Sequence, residues 1–259
     1  MKKTKLLMKA IFFIILTVPA FFLLSACQGD QIEEPRVQDR GLEETEEERT
    51  ELEAGIFTAY SDTDDNGYAR ARVRIEGNDI VEVELMEILP TGNEKDYKSY
   101  QYEPVVKAYE EMPGRFEKAD SADVDVYTGA TRTSEKFKQA VRRALDYAEG
   151  KSEGRYYDGR FQGESERTES GYAVALVTIK DDEIQKVELK EIDGEGEWRD
   201  FSEYNWEPAV MANKEMAESF VEANSPEVDL YTNATQSSIR YKEAVRNALH
   251  HASKNPEKE

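Results

Sequence analysis

The chain repeats itself. Residues 55–148 align with 159–252 at a constant offset of 104 without a gap, and 41 of the 94 aligned positions are identical. Gly67-Tyr68 returns as Gly171-Tyr172, Val83-Glu84-Leu85 as Val187-Glu188-Leu189, and Glu103-Pro104 as Glu207-Pro208. Solenoid repeats are roughly 20–50 residues long and cannot close a core alone. A unit twice that length can, so the pattern predicts two whole domains, 55–150 and 156–253. Glu149 to Tyr157, with two glycines and a serine, is the hinge between them.

Each unit reads strands first, then helices. A short strand begins near Phe57. Ala69, Ala71, Val73 and Ile75 alternate with Arg70, Arg72 and Arg74, the period of a half-buried strand. Gly77-Asn78-Asp79 is a turn, and Ile80 to Ile88 alternates again, so the pair is a hairpin. Pro104 suits the first turn of a helix running to about Met112. Phe137, Ala140, Val141, Ala144, Leu145 and Ala148 then fall at helical spacing, as do Tyr241, Ala244, Val245, Ala248, Leu249 and Ala252. The expected fold class is α+β: in each of two tandem domains, an antiparallel sheet packed against helices.

The start of the chain is a targeting segment, residues 1–26. Lys2, Lys3, Lys5 and Lys9 precede an apolar run from Ala10 to Leu24, and Leu24-Ser25-Ala26-Cys27 closes it. Leu-Ser-Ala-Cys resembles the bacterial lipobox. That resemblance implies cleavage before Cys27, a diacylglyceryl group on its thiol, and a body tethered to the membrane on the extracytoplasmic side. An uncleaved N-terminal anchor with an incidental cysteine is the other reading. Residues 27–54 form an acidic linker with the run Glu43-Glu44-Thr45-Glu46-Glu47-Glu48. It has too few apolar residues to offset the entropy of ordering, although a surface helix over 43–54 is an alternative.

A formal charge of −21 argues against nucleic acid as a partner. The single cysteine excludes a disulfide framework, a cysteine-based metal site and c-type haem attachment. His250 and His251 are adjacent, so on a helix they diverge by about 100° and do not share a metal; solvated helix-end residues are expected. No Ser-His-Asp set, metal-spaced cluster or P-loop is present in either unit.

The chemistry converges on one stretch. Asp125-Val126-Tyr127-Thr128-Gly129-Ala130-Thr131 returns as Asp229-Leu230-Tyr231-Thr232-Asn233-Ala234-Thr235. Gly129 and Asn233 are the residue types that best tolerate a positive φ. A helical pattern begins near Ser134 and Ser238, which places the threonine hydroxyls just ahead of a helix N-terminus. Free backbone amides and the positive end of the dipole gather there and suit a phosphate. The plainer reading makes these threonines and serines ordinary N-caps after a tight turn.

The stretch resembles the flavinylation motif of FMN-binding domains, Asp-x-x-Ser/Thr-Gly-Ala-Ser/Thr. The resemblance implies that a flavin transferase joins the phosphate of FMN to the last hydroxyl as a phosphoester, giving one or two covalent FMN per chain. Thr131 and Thr235 are then the flavin-bearing residues. Asp125 and Asp229 are the motif acids, with Thr128, Gly129 and Ala130, and Thr232, Asn233 and Ala234, completing each loop. The second copy departs at Asn233. Members of the family are electron-transport subunits and lipoproteins of extracellular electron transfer, so a membrane electron donor and an extracellular or envelope acceptor are the implied partners. A non-redox binding or envelope-associated module on the same domain is the alternative. Tyr100, Tyr102, Tyr204 and Trp206, with Tyr127 and Tyr231, are expected in the core, or else stacked on a flavin ring. Glu103 and Glu207 suit helix starts.

Overall fold

The computed structural model describes residues 51–150 and 152–256. The expected leader, Cys27 and the linker up to residue 50 lie outside them. Strands β1 (Gly55–Tyr60), β2 (Tyr68–Glu76) and β3 (Asp79–Ile88) form an antiparallel sheet in the order β1-β2-β3, and helices α1 (Glu103–Ala119) and α2 (Thr131–Glu149) follow. Strands β4 (Gly159–Glu164), β5 (Gly171–Lys180) and β6 (Glu183–Asp193) make a second sheet, followed by α3 (Glu207–Ala223) and α4 (Thr235–Ala252). The fold is α+β, with two three-stranded antiparallel sheets and four helices. Pairing registers also correspond: Ala71 faces Leu85 as Ala175 faces Leu189, and each hairpin shifts register next to Ile75 or Ile179.

The strand alternation explains which face is covered. Ala69, Ala71, Val73 and Ile75 point at the helices and are buried. Arg70, Arg72 and Arg74 point away and pair with Glu94, Glu84 and Glu82. Helix α1 lies on β3, and α2 lies on β1 and β2. Met112 and Phe116 from α1 meet Phe137, Ala140, Val141 and Ala144 from α2 in one buried cluster. Phe220, Tyr241 and Val245 do the same in the second half.

Helix α1 is longer than expected. It passes through Pro113 and reaches Ala119, seven residues beyond Met112. Proline interrupts one backbone hydrogen bond, but Val105, Ala108, Met112 and Phe116 form one buried stripe. Burial of Phe116 beyond the proline outweighs the local break. Among the described residues no helix is long and apolar enough to cross a membrane.

The halves meet through polar groups. Gln162 Nε2 donates to Leu89 O at 3.0 Å, Tyr172 OH to Thr91 O at 2.8 Å, and Tyr147 OH to Ser253 O at 2.7 Å. His251 is not a solvated helix-end residue. Its ring stacks on Tyr60 at 3.8 Å and its Nδ1–H donates to Gln162 O at 2.6 Å. Helix α4 carries it back against β1, which the adjacency of two histidines could not reveal.

Burial pushes His251 down to about 4, with His250 and Arg70 adding like-charge opposition. The unfolded chain therefore binds more protons than the folded one between pH 6.5 and 4. Stability from the neutral ring is fully present above about pH 6.5 and is lost as pH falls through 4, roughly 2 kcal/mol of it by pH 5. Urea unfolding of the parent and His251→Phe at pH 7.5 and 5 measures this. The parent should lose ground to the variant at the lower pH; a constant difference contradicts a neutral, half-buried ring.

Candidate functional site

The repeated loop is a reverse turn feeding a helix. Ala130 N–H donates to Tyr127 O at 2.9 Å, and Ala234 N–H to Tyr231 O at 3.1 Å. Between them Gly129 has φ +84° and Asn233 φ +65°. Thr128 and Thr232 are not in that region, so the turn is of type II, which needs positive φ at its third residue. Gly129 serves a second purpose. A Cβ there would lie 3.1 Å from Pro104 Cβ, so the loop rests on the first turn of α1. In the second half, Glu207, Pro208, Met211, Leu230, Tyr231, Thr232 and Asn233 line an open groove of about 650 Å³.

The helix starts three residues earlier than the apolar pattern suggests. Thr131 and Thr235 are the first helical residues, not residues ahead of the helix. The first intrahelical bonds, Ser134 N–H to Ala130 O and Ser238 N–H to Ala234 O, are both 2.9 Å. The N-cap positions are Ala130 and Ala234, and neither helix has a side-chain cap. This overturns the plain N-cap reading. The amides of residues 131–133 and 235–237 have no carbonyl within the helix to accept them. Thr131 and Thr235 stand beside them, exposed.

Two serines that the sequence left as mere neighbours hold the loop. Ser134 Oγ, fully buried, accepts from Tyr127 N–H at 2.9 Å and donates to Ala130 O at 2.8 Å. Ser238 repeats both bonds at 3.0 and 2.8 Å. The recurrence of Ser three residues after the motif threonine was the available signal.

The remaining site residues divide cleanly. Asp125, Thr128, Gly129, Asp229, Thr232 and Asn233 are exposed, whereas Ala130 and Ala234 are buried under the turn. Tyr102 and Trp206 are not core residues. They precede α1 and α3, are 53% and 55% exposed, and Tyr102 Oη lies 3.7 Å from the Cβ position of Gly129. Tyr100 and Tyr204 are exposed as well. Strand-like spacing could not place them, because they lie on a segment with no regular period. Tyr127 packs on the core edge and faces Arg115 at 5.0 Å.

A buried carboxylate from each sheet lies against α2 or α4. Glu87 on β3 accepts from Thr133 Oγ1 at 3.2 Å, Lys95 Nζ at 2.5 Å and Tyr97 OH at 3.0 Å. Glu191 on β6 pairs with Arg199 Nε at 2.8 Å and lies against the Tyr241 phenol. Burial, then the adjacent carboxylate, pushes both phenols upward, so each stays protonated as a donor.

With this geometry in view, the comparisons are specific. The FMN-binding domain family matches residues 55–146, a span that contains Asp125 to Thr131. Residues 55–146 are an FMN-binding domain. A crystal structure of the CPE2226 protein from Clostridium perfringens is also similar. It is 21% identical, covers 38% of this chain and 88% of that one, and has a TM-score of 0.33. No curated protein matches the sequence significantly. The FMN-binding domain has what a phosphate needs at Thr131: a hydroxyl in solvent, a helix start without a competing side-chain cap, and a turn that exposes the amides. Asp229 to Thr235 offers the same set outside the matched span.

Proposed function

We propose that the chain is a membrane-anchored, extracytoplasmic flavoprotein. It carries FMN covalently on Thr131 and on Thr235 and passes electrons from a membrane donor to an extracellular or envelope acceptor. Residues 156–253 are read as a second, homologous FMN-binding domain, and Cys27 as the lipidated anchor. The observation that carries the reading is the pair of exposed threonines, each at the first helical position behind an alanine N-cap and a positive-φ turn.

The residues then have defined roles. Thr131 Oγ1 forms a bond to phosphorus of a flavin nucleotide activated through a pyrophosphate. The bond from that phosphorus to the leaving nucleotide breaks, and the hydroxyl proton passes to a base of the transferase. The free first-turn amides hold the phosphoester oxygens. Ser134 keeps the turn closed, so the amides keep their direction. Tyr102 and Trp206 offer exposed aromatic surface beside each loop. Bound flavin supplies the redox chemistry, since the chain offers no haem or iron–sulfur ligand set of its own.

Intact mass of the protein made beside an active flavin transferase tests this. Two increments of FMN less water are expected. Thr131→Val should remove one and Thr235→Val the other, while Thr128→Val keeps both. Absence of any increment in the parent refutes the flavoprotein reading. Membrane fractionation of Cys27→Ser tests the anchor; a variant that fractionates and migrates like the parent refutes it.

A further inference from the structure

We propose that Glu87 and Glu191 are positioning residues for the threonines that take flavin. This inference rests on the flavoprotein reading. The first observation is a relay present in both halves. Glu87 is 3% exposed and holds Lys95, whose Nζ lies 4.4 Å over the ring of Tyr100. Glu191, also 3% exposed, holds Arg199, whose Cζ lies 4.4 Å over the ring of Tyr204. In each case the cation's backbone N–H also donates to the glutamate's carbonyl at 2.9 Å.

The second observation is an exchange of the phenol. In the first half the buried hydroxyl near the carboxylate comes from Tyr97 on the loop, and Phe137 stands on the helix. In the second half the loop position is Phe201, and the hydroxyl comes from Tyr241 on the helix. Each copy thus retains one phenol, delivered from opposite sides to the same carboxylate.

Location gives this cluster its role. Thr133, which donates to Glu87, is two residues beyond Thr131 in the first turn of α2. Lys95 and Tyr100 belong to the segment that ends in Pro104, on which Gly129 rests. Glu87 therefore ties the helix start to the surface that supports the turn. An apolar core would hold these pieces together at lower desolvation cost, but it would not fix the direction of the first turn. The partner cation neutralises the carboxylate, which leaves the positive helix end for an outside phosphate. In the second half Ser237 replaces Thr133, Glu191 Oε1 has no hydrogen-bond partner, and the helix contact moves one turn deeper to Tyr241.

The test follows flavin loading of the full chain by purified transferase, well below the melting midpoint, with each motif peptide quantified by mass. Glu87→Gln and Tyr97→Phe should slow loading of Thr131 by about 10- to 100-fold. Thr235 in the same molecule should load at the parent rate. Adding Phe137→Tyr to Tyr97→Phe gives the first half the arrangement of the second and should restore Thr131 loading to near the parent rate. If both single variants melt earlier yet load Thr131 at the parent rate, the cluster is structural and the proposal fails. If Glu87→Gln does not fold, Tyr97→Phe and its Phe137→Tyr rescue decide; slow loading without rescue also overturns it. A parent that takes up no FMN fails at the flavoprotein reading itself, a result distinct from unequal loading of the two sites.

Discussion

Gly163→Ala should destabilise the second half by about 3 kcal/mol, at the upper end of the usual cost of overpacking. A Cβ on Gly163 would lie 2.1 Å from Ala248 N and 2.4 Å from Ala244 O. Both are backbone atoms of α4, so no side chain can rotate away, and the helix itself must move off β4. The matching position in the first half is Ala59, fully buried with its methyl in place. Helix α4 therefore lies closer to β4 than α2 lies to β1, and one methyl group separates the two packings. Thermal and urea unfolding of Gly163→Ala measure the cost, with a fall in melting midpoint of roughly 6–12 °C expected. A variant that unfolds at the parent's midpoint contradicts the close approach.

Arg143→Ala should cost about 3 kcal/mol and loosen the contact between the halves. Arg143 is buried on α2. Its Nη1 donates to Tyr60 O and its Nη2 to Asp62 Oδ1, each at 2.7 Å. The guanidinium also lies 4.6 Å from the ring of Tyr157 and 5.0 Å from that of Phe161, which belong to the hinge and to β4. Truncation leaves a carbonyl and a carboxylate without this cation and removes its contacts with both rings. Arg143→Lys should recover little, because an ammonium cannot supply both the fork and the stack. The second half satisfies the equivalent carbonyl, Glu164 O, with the shorter Asn247 at 2.6 Å. Urea unfolding of both Arg143 variants provides the comparison. A loss below about 1 kcal/mol for Arg143→Ala would show the pair to be an ordinary surface contact.

Much of this protein was legible in its residues. The offset of 104 foretold that one sheet order and pairing register would recur, and alternation at Ala69 to Ile75 placed β2 and its buried face. The identities of Gly129 and Asn233 foretold a positive φ that both adopt. Each of these is a local matter: side-chain period and backbone tolerance are set within a few residues of the chain. Other features depended on elements far apart in sequence. The start of α2 at Thr131 is set by the closed turn and by Ser134 reaching back to Tyr127, so the apolar stripe alone put it too late. Pro113 reads as a stop until Phe116 is seen packed against Phe137. Tyr102 and Trp206 carry core-like side chains, yet no element covers them. The strand pattern singled out neither Glu87 nor Glu191, and His251 read as a solvated helix-end residue. Their placement required a helix, a loop and a strand to converge. A carboxylate or an imidazole is stable in such a place only when donors, acceptors or rings from distant segments arrive together, and that meeting is a property of the tertiary structure.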